Sequence, residues 1–319
     1  MRILITGVTG FVGSNLAPYL AGHTVYGLDI VAPEMPGVEK IYSWEDMAKD
    51  QLPPVDAIVH LAGKAHATGK PWEEAEYFQV NRDLTVRIFD YFRSHDIAKF
   101  VFFSTVKAVA EEVPGVLTEE ADPAPVGPYG ESKWAAERYI QNVKRDHPHW
   151  AEQRGIYVFR PCMIHGPGNK GNLNLLYNVV SRGIPWPLGS FDNRRTFTSV
   201  ENICFAVKGV LTGNIPSGTY LMGDDEPLST NEIIEVIGSV LGRKIPVWHL
   251  PKWMIHGLAR VGGWLHLPLN PDRLRKLTEN YIVSNAKIEA ALGISAMPVR
   301  ARDGLVHTIK SFTTTQDNA

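Results

Sequence analysis

ILITGVTGFVGSNLAPYLAG, residues 3–22, sets the fold that the rest of the chain must complete. A short apolar run passes into GVTGFVG, with glycines at 7, 10 and 13, and then into a helical pattern. Glycine suits a tight turn, a backbone that approaches a pyrophosphate, and a helix packed close on its strand. The free N–H groups and positive end of such a helix hold a diphosphate. A glycine triplet alone is weak evidence, but a second signal agrees with it. TVYGLD (24–29) is a strand pattern ending in Asp29, 22 residues after Gly7, where a ribose-binding acid is expected. A carboxylate there accepts from the adenosine ribose and repels a 2′-phosphate, and no arginine adjoins it. The cofactor expected at Gly7, Gly10, Gly13 and Asp29 is therefore NAD rather than NADP.

Outward from this loop, AIVHLA (57–62), KFVFFST (99–105) and IYVFRP (156–161) are further apolar runs. Their continuity suits parallel strands buried on both faces. Helical patterns at about 12–22, 72–95 and 130–147 separate them, which predicts an α/β fold with a doubly wound parallel sheet. VAPEMPGVEKIY, with two prolines and a glycine, leaves no room for a full crossover helix, and Pro18 should bend the first helix or remove one of its backbone bonds. After about residue 165, Gly-, Pro- and Asn-rich loops flank a helix at 173–182. SVEN (199–202) and STNE (229–232) read as capping-box helix starts, and another helix follows Pro251. The expected division is 1–165, an NAD-binding Rossmann domain whose sheet is completed by later strands, and 166–319, a smaller, mostly helical substrate lobe. The last residues, TTTQDNA, read as loose.

The 319 residues carry a net charge of −2, which gives no reason to expect nucleic acid or a membrane surface as partner. No apolar stretch approaches a membrane span. Two cysteines, Cys162 and Cys204, have no metal or redox spacing and read as buried thiols of a cytoplasmic protein. No metal site is expected, because His60 and His66 have no partner at ligand spacing.

PYGESKWAAE (128–137) places Tyr129 four residues before Lys133, directly behind a proline-rich run. A phenol has a pKa near 10, so acting as a base near neutrality asks for roughly 4 kcal/mol. One cation at about 4 Å supplies roughly that much at an effective dielectric of 20. Lys133 is therefore the expected pKa partner of Tyr129. A hydroxyl of Ser104 or Thr105, at the end of KFVFFST, orients the substrate oxygen and shares its proton.

With GVTGFVGSNL, HLAG (60–63), FFSTVKAV, PYGESKWAAE and RPCMIHGPG in order and spacing, the chain resembles the extended short-chain dehydrogenases/reductases. The group resembled is that of the NAD-dependent nucleotide-sugar epimerases and dehydratases. The resemblance covers nearly the whole chain. It implies NAD in the large lobe, a sugar nucleotide beneath the small one, and a homodimer through the helices at about 75–95 and 130–147. It makes Tyr129 the acid/base, Lys133 its partner and ribose ligand, and Thr105, rather than Ser104, the catalytic hydroxyl. Phe11 and Val12 would offer amides to the pyrophosphate. Leu61, Ala62, Gly63, Lys64 and Ser104 would line the cofactor, and Asn81 would brace the strands around it. Asp46 is the only acid to suggest for the adenine amino group.

The small lobe, with GPGNKGNL and RGIPWPLGSFDNRRTFTSVEN, resembles bacterial enzymes acting on UDP-hexoses and their N-acetyl forms. That likeness implies Asn172 at the diphosphate or sugar, Arg195 as a clamp on the diphosphate, and Trp186 to Leu188 along the uracil. Arg273 is either a second diphosphate ligand or, within PDRLRK, part of a surface helix face. Dehydratases of the family carry an Asp-Glu pair where this chain has Val106 and Lys107, which disfavours water elimination. The family tyrosine of a VYG segment is replaced within AVA (108–110), and IHGPG stands for IYGPG. The leading expectation is an epimerase at C4 of a UDP-hexose or UDP-N-acetylhexosamine, working through a 4-keto intermediate. The alternatives are an NAD(P)H-dependent reductase of a 4-keto-6-deoxy UDP-sugar and, more distantly, a non-catalytic NAD-sensing module.

Overall fold

The structure, a computed structural model, describes residues 1–65, 73–169, 171–264 and 270–316. The apolar runs form β1 (Arg2–Thr6), β2 (Thr24–Leu28), β3 (Lys40–Tyr42), β4 (Ala57–His60) and β5 (Lys99–Phe103). Later strands are β6 (Val116–Leu117), β7 (Gly155–Pro161), β8 (Met163–His165), β9 (Phe197–Ser199), β10 (Gly218–Met222) and β11 (Ile282–Val283). Seven of them make one wholly parallel sheet in the order β10-β7-β5-β4-β1-β2-β3. The order reverses between β1 and β4, which opens a crevice at their C-terminal ends. The doubly wound fold read from the sequence is the one observed.

The helices are α1 (Phe11–Tyr19), α2 (Trp44–Ala48), α3 (Glu74–Tyr77), α4 (Leu84–Ser94), α5 (Pro128–Asp146), α6 (Pro148–Glu152) and α7 (Asn172–Ser181). Then come α8 (Val200–Thr212), α9 (Thr230–Val240), α10 (Lys252–Trp264), α11 (Pro271–Thr278), α12 (Ala286–Leu292) and α13 (Ala301–Gln316). Along each central strand alternate residues point to opposite faces. Ile3, Ile5, Val59, Val101 and Phe159 pack with Leu16 of α1 and with Ile203, Val207 and Val210 of α8. Leu4, Ile58, Phe100, Phe102 and Ile156 pack on Phe89 and Phe92 of α4 and Ile140 of α5. Two buried faces account for the lack of polar alternation in these strands. A separate core, including Leu173, Tyr177, Ile233, Ile237, Ile255 and Leu305, holds the small lobe. Thus α8 and β10, although late in sequence, complete the large lobe.

Several expectations change in detail. The helix read over 72–95 contains a π-helical turn, Phe78–Asp83, between α3 and α4. The first helix stops at Tyr19, one residue after Pro18, whose ring nitrogen has no hydrogen to donate. Ser229 forms a full capping box with Glu232. At Ser199 the third residue on is Asn202, so only the Ser199 hydroxyl accepts, and the acid Glu201 lies one position earlier. The C-terminal segment read as loose is helical through Gln316, and 317–319 lie outside the described residues. Among the described residues no helix is long and apolar enough to cross a membrane.

Phe89 meets Phe92, Phe100, Tyr139 and Trp150 with ring centroids 5.0–6.3 Å apart. Phe89→Ala should lower stability by about 3–5 kcal/mol, measured by urea unfolding. A loss below about 1 kcal/mol would show that this cluster does not hold the helices to the sheet.

Candidate active site

The glycine loop joins the two strands on either side of the crevice. A Cβ on Gly7, which sits at φ +69°, would lie 2.8 Å from the Ala62 nitrogen after β4. A Cβ on Gly13 would lie 2.5 Å from the Val8 carbonyl oxygen, so α1 packs on the loop only with glycine there. The first-turn amides of α1, from Phe11, Val12 and Gly13, have no acceptor within the helix. No side chain caps that end and no acid stands in its first turn. Asp29 accepts from the Thr9 amide at 3.0 Å, the Thr9 hydroxyl at 2.8 Å and the Ile30 amide at 2.8 Å, which fixes its carboxylate beside the loop. Free donors at a helix start with an acid at the end of β2 fit an adenosine diphosphate. Asp46 is engaged elsewhere, closing a capping box on Ser43 at the start of α2.

Beyond the loop, the π-helical turn rotates Asn81 toward β4, as such turns do at functional sites. The Asn81 carboxamide accepts from the Lys64 amide at 2.8 Å and donates to the Lys64 carbonyl and the Ser132 hydroxyl, each at 3.0 Å. Gly63 lies between this carboxamide and Lys133. A Cβ there would stand 2.9 Å from Lys133 Nζ and 3.0 Å from Asn81 Oδ1. His60, fully buried, bridges Thr6 and Thr85 at 2.6 and 2.9 Å, and burial holds its pKa well below the ordinary value. It is a structural crosslink. His66 lies outside the described residues.

The proline-rich run ends at Gly127, φ +84°, and Pro128 occupies the first turn of α5, where its missing N–H costs nothing. Tyr129, Lys133 and Glu137 then fall on one stripe of the helix. The Thr105 hydroxyl accepts from the Lys107 amide at 3.3 Å and is hydrogen-bonded to the Tyr129 phenol. Lys133 donates to the Phe103 carbonyl at 2.8 Å and lies over the Phe102 ring. The expectation that Lys133 lowers the phenol's pKa is not met by the protein groups alone. Burial pushes Tyr129 above its ordinary value, against a smaller lowering by Thr105. Burial likewise brings Lys133 from 10.5 to about 8, with Glu137 opposing the drop. The ammonium donates to a backbone carbonyl, and the nearby Glu137 carboxylate favours its charged form.

Glu137 escaped the sequence reading. It accepts from Arg160 Nε at 3.0 and 3.1 Å and from Arg160 Nη2 at 2.6 Å, and the Ser104 hydroxyl donates to it by a short bond. Ser104 is therefore turned away from Thr105, into this buried ion pair. The available signal was spacing, since Glu137 stands four residues beyond Lys133 and eight beyond Tyr129.

In the small lobe Trp186 and Leu188 are only 4% and 3% exposed and belong to the lobe's core. The Trp186 indole donates to Asn231 at 2.9 Å, and bridges to Val247 and His249 fold the segment inward. The side chains of Trp186 and Leu188 are thus taken up by the lobe's own packing. Arg195 is engaged by the Lys276 carbonyl and lies 3.7 Å from Glu279, so it is not a free clamp. Asn172 begins α7, and Arg273 is exposed in the first turn of α11. His165, in place of a tyrosine, is buried between Thr308 at 2.8 Å and Asp224 at 3.3 Å. Lys107 pairs with Glu111 at 3.2 Å and lies over the Tyr281 ring.

The model of the NAD dependent epimerase/dehydratase family matches residues 3–223. A UDP-glucose 4-epimerase of Vibrio cholerae is 29% identical over 334 aligned residues, covering 97% of this chain and 95% of that one. An N-acetyl-alpha-D-glucosaminyl-diphospho-ditrans,octacis-undecaprenol 4-epimerase of Escherichia coli O157:H7 is 27% identical, covering 90% of this chain and 84% of that one. In fold, the chain is similar to a UDP-glucose 4-epimerase of Thermotoga maritima solved with UDP-glucose. The TM-score is 0.76 at 21% identity, over 99% of this chain and 100% of that one.

Two outcomes test this geometry. Glu137→Ala leaves the Arg160 guanidinium buried without its partner and should cost about 3–5 kcal/mol in urea unfolding. Folding lowers Lys133's pKa from 10.5 to about 8, so between those values the unfolded chain binds more protons than the folded one. The parent should therefore gain stability relative to Lys133→Met as pH rises from about 8 toward 10.5. A difference in urea midpoints that stays flat across that window would contradict the burial of the ammonium.

Proposed function

Because the chain belongs to the NAD-dependent epimerase/dehydratase family, an enzyme family with NAD as cofactor, we propose that it is an epimerase acting at C4 of a UDP-hexose or UDP-N-acetylhexosamine. The observation that carries the reading is Thr105 hydrogen-bonded to Tyr129 at the crevice, with Lys133 one helical turn on. The likeness to the Vibrio cholerae UDP-glucose 4-epimerase across both chains supports it. Val106 and Lys107 supply no acid pair for water elimination.

In this reading the Tyr129 oxygen takes the proton of the C4 hydroxyl and returns it after the 4-keto sugar has turned over. Thr105 holds the substrate oxygen, and Lys133 anchors a ribose. NAD, when bound, would take the C4 hydride as the hydroxyl proton leaves, give it back to the other face of the keto carbon, and bring positive charge to the site. The α1 amides and Asp29 are its proposed diphosphate and ribose ligands. Asn81 acts through Lys64 and Ser132 to keep the crevice wall in place. The proposed assembly is a cytoplasmic homodimer through α4 and α5, which light scattering would measure.

A reductase of a 4-keto UDP-sugar is the second reading. Burial raises the pKa of the Tyr129 phenol, which favours the protonated form that hands a proton to a keto oxygen. Stoichiometry separates the two. An epimerase interconverts UDP-hexoses without net NADH use, whereas mole-for-mole NADH oxidation would replace the first reading with the second. Tyr129→Phe should lower turnover by about 10²–10⁴-fold while NAD binding, read by fluorescence titration, persists. A loss smaller than about tenfold would remove Tyr129 from the chemistry.

A further inference from the structure

Helix α10 is apolar on the side that faces the protein and also on the side that does not. Ile255, Ala259 and Gly262 are its buried stripe. Opposite them, at about 100° per residue, stand Trp253, Gly257, Val261 and Trp264. Trp253 and Trp264 are 77% and 80% exposed, and Leu258 and Val261 are each more than half exposed. The two indoles are 11 positions apart, roughly 16 Å along one line of the helix. Arg260, also exposed, lies on the same outward arc.

We propose that this outer face of α10, with the basic segment leading into it, docks the protein on a membrane surface bearing anionic headgroups. Charge chooses the occupant. From Val236 through Pro271 the sequence holds Arg243, Lys244, Lys252 and Arg260 and not one Asp or Glu. The net charge of −2, which argued against such a surface, averages this stretch away. A helix with tryptophans at both ends and Arg260 between them on the outward arc matches the headgroup boundary, where indoles sit and basic side chains reach anionic phosphates. Lys252 is turned to the Phe191 ring and Arg243 to the Ser181 carbonyl, so exposed Lys244 and Arg260 are the cations assigned to the phosphates. A second copy of the same face would bring Arg260 and its basic neighbours against their like, which disfavours self-association through it. The dimer proposed above uses α4 and α5 and leaves α10 free. No side chain of this face enters the crevice chemistry, so the docking stands or falls apart from the epimerase reading.

The test is co-sedimentation of the full chain with vesicles of phosphatidylcholine containing about 30% phosphatidylglycerol, against phosphatidylcholine alone, at about 0.1 M salt. The protein should pellet with the anionic vesicles. The bound fraction should fall about fivefold or more in Trp253→Ala/Trp264→Ala, in Lys244→Glu/Arg260→Glu, and for the parent at about 0.5 M salt. Urea midpoint and NAD binding should be unchanged in both variants, and the charge variant keeps the test open should the tryptophan variant fold poorly. Equal pelleting with both vesicles, no pelleting, or unaltered binding in the charge variant overturns the proposal. So does a vesicle-independent doubling of sedimenting mass that the tryptophan variant abolishes, which would make this face an interface between copies.

Discussion

One carboxylate ties together the parts of the large lobe that face the crevice. Glu137 is fully buried and meets the Arg160 guanidinium through both of its oxygens, with Ser104 as a further donor. A lone carboxylate at that depth would cost several kcal/mol. The fork of arginine makes it tolerable because its donors match the carboxylate's geometry. The three partners come from α5, the end of β5 and β7. Their meeting sets how far α5 stands from the strand ends, and so where Tyr129, Lys133 and Thr105 lie relative to one another. A change of register in any of the three elements would leave a buried charge unmatched.

The same enclosure creates the tension at the proposed catalytic pair. Desolvation drives a phenol and an ammonium toward their neutral forms, and at both Tyr129 and Lys133 it is the largest influence. Coulomb attraction of the size needed to ionise the phenol was available in principle. In the folded chain Lys133 is directed to the Phe103 carbonyl, and Glu137, already paired with Arg160, only partly opposes the loss of its charge. The protein therefore supplies position and dryness. In the proposed reaction the remaining shift in favour of the phenolate comes from positive charge beyond these side chains. That division explains why a conformationally rigid frame and an adjustable pKa coexist on one helical stripe.

Charge acts differently at the surface, where its distribution matters more than its sum. The near-neutral total conceals a stretch of 36 residues without an acid, and the exposed tryptophans of α10 fall inside it. The small lobe shows the converse in its interior. Residues named as ligand contacts, Trp186 and Leu188, are used to build its core, and Arg195 is used to hold Lys276 and Glu279.

Local grammar alone specified the sheet, the glycine loop with Asp29, the capping box at Ser229 and the one-turn spacing of Tyr129 and Lys133. Each depends on periodicity, on a helix cap or on a turn residue, signals carried within one element or, for Asp29, within one βαβ unit. The π-helical turn that aims Asn81, the pairing of Glu137 with Arg160 and the inward folding of the Trp186 segment had no such signature. Their partners come from elements far apart in sequence. Chain separation hides a contact whose energy depends on burial, and burial exists only once the layers have packed. That is also why the strength of a Tyr–Lys pair could be sized from its spacing, while the direction of its pKa shifts was decided by the dielectric that folding built around it.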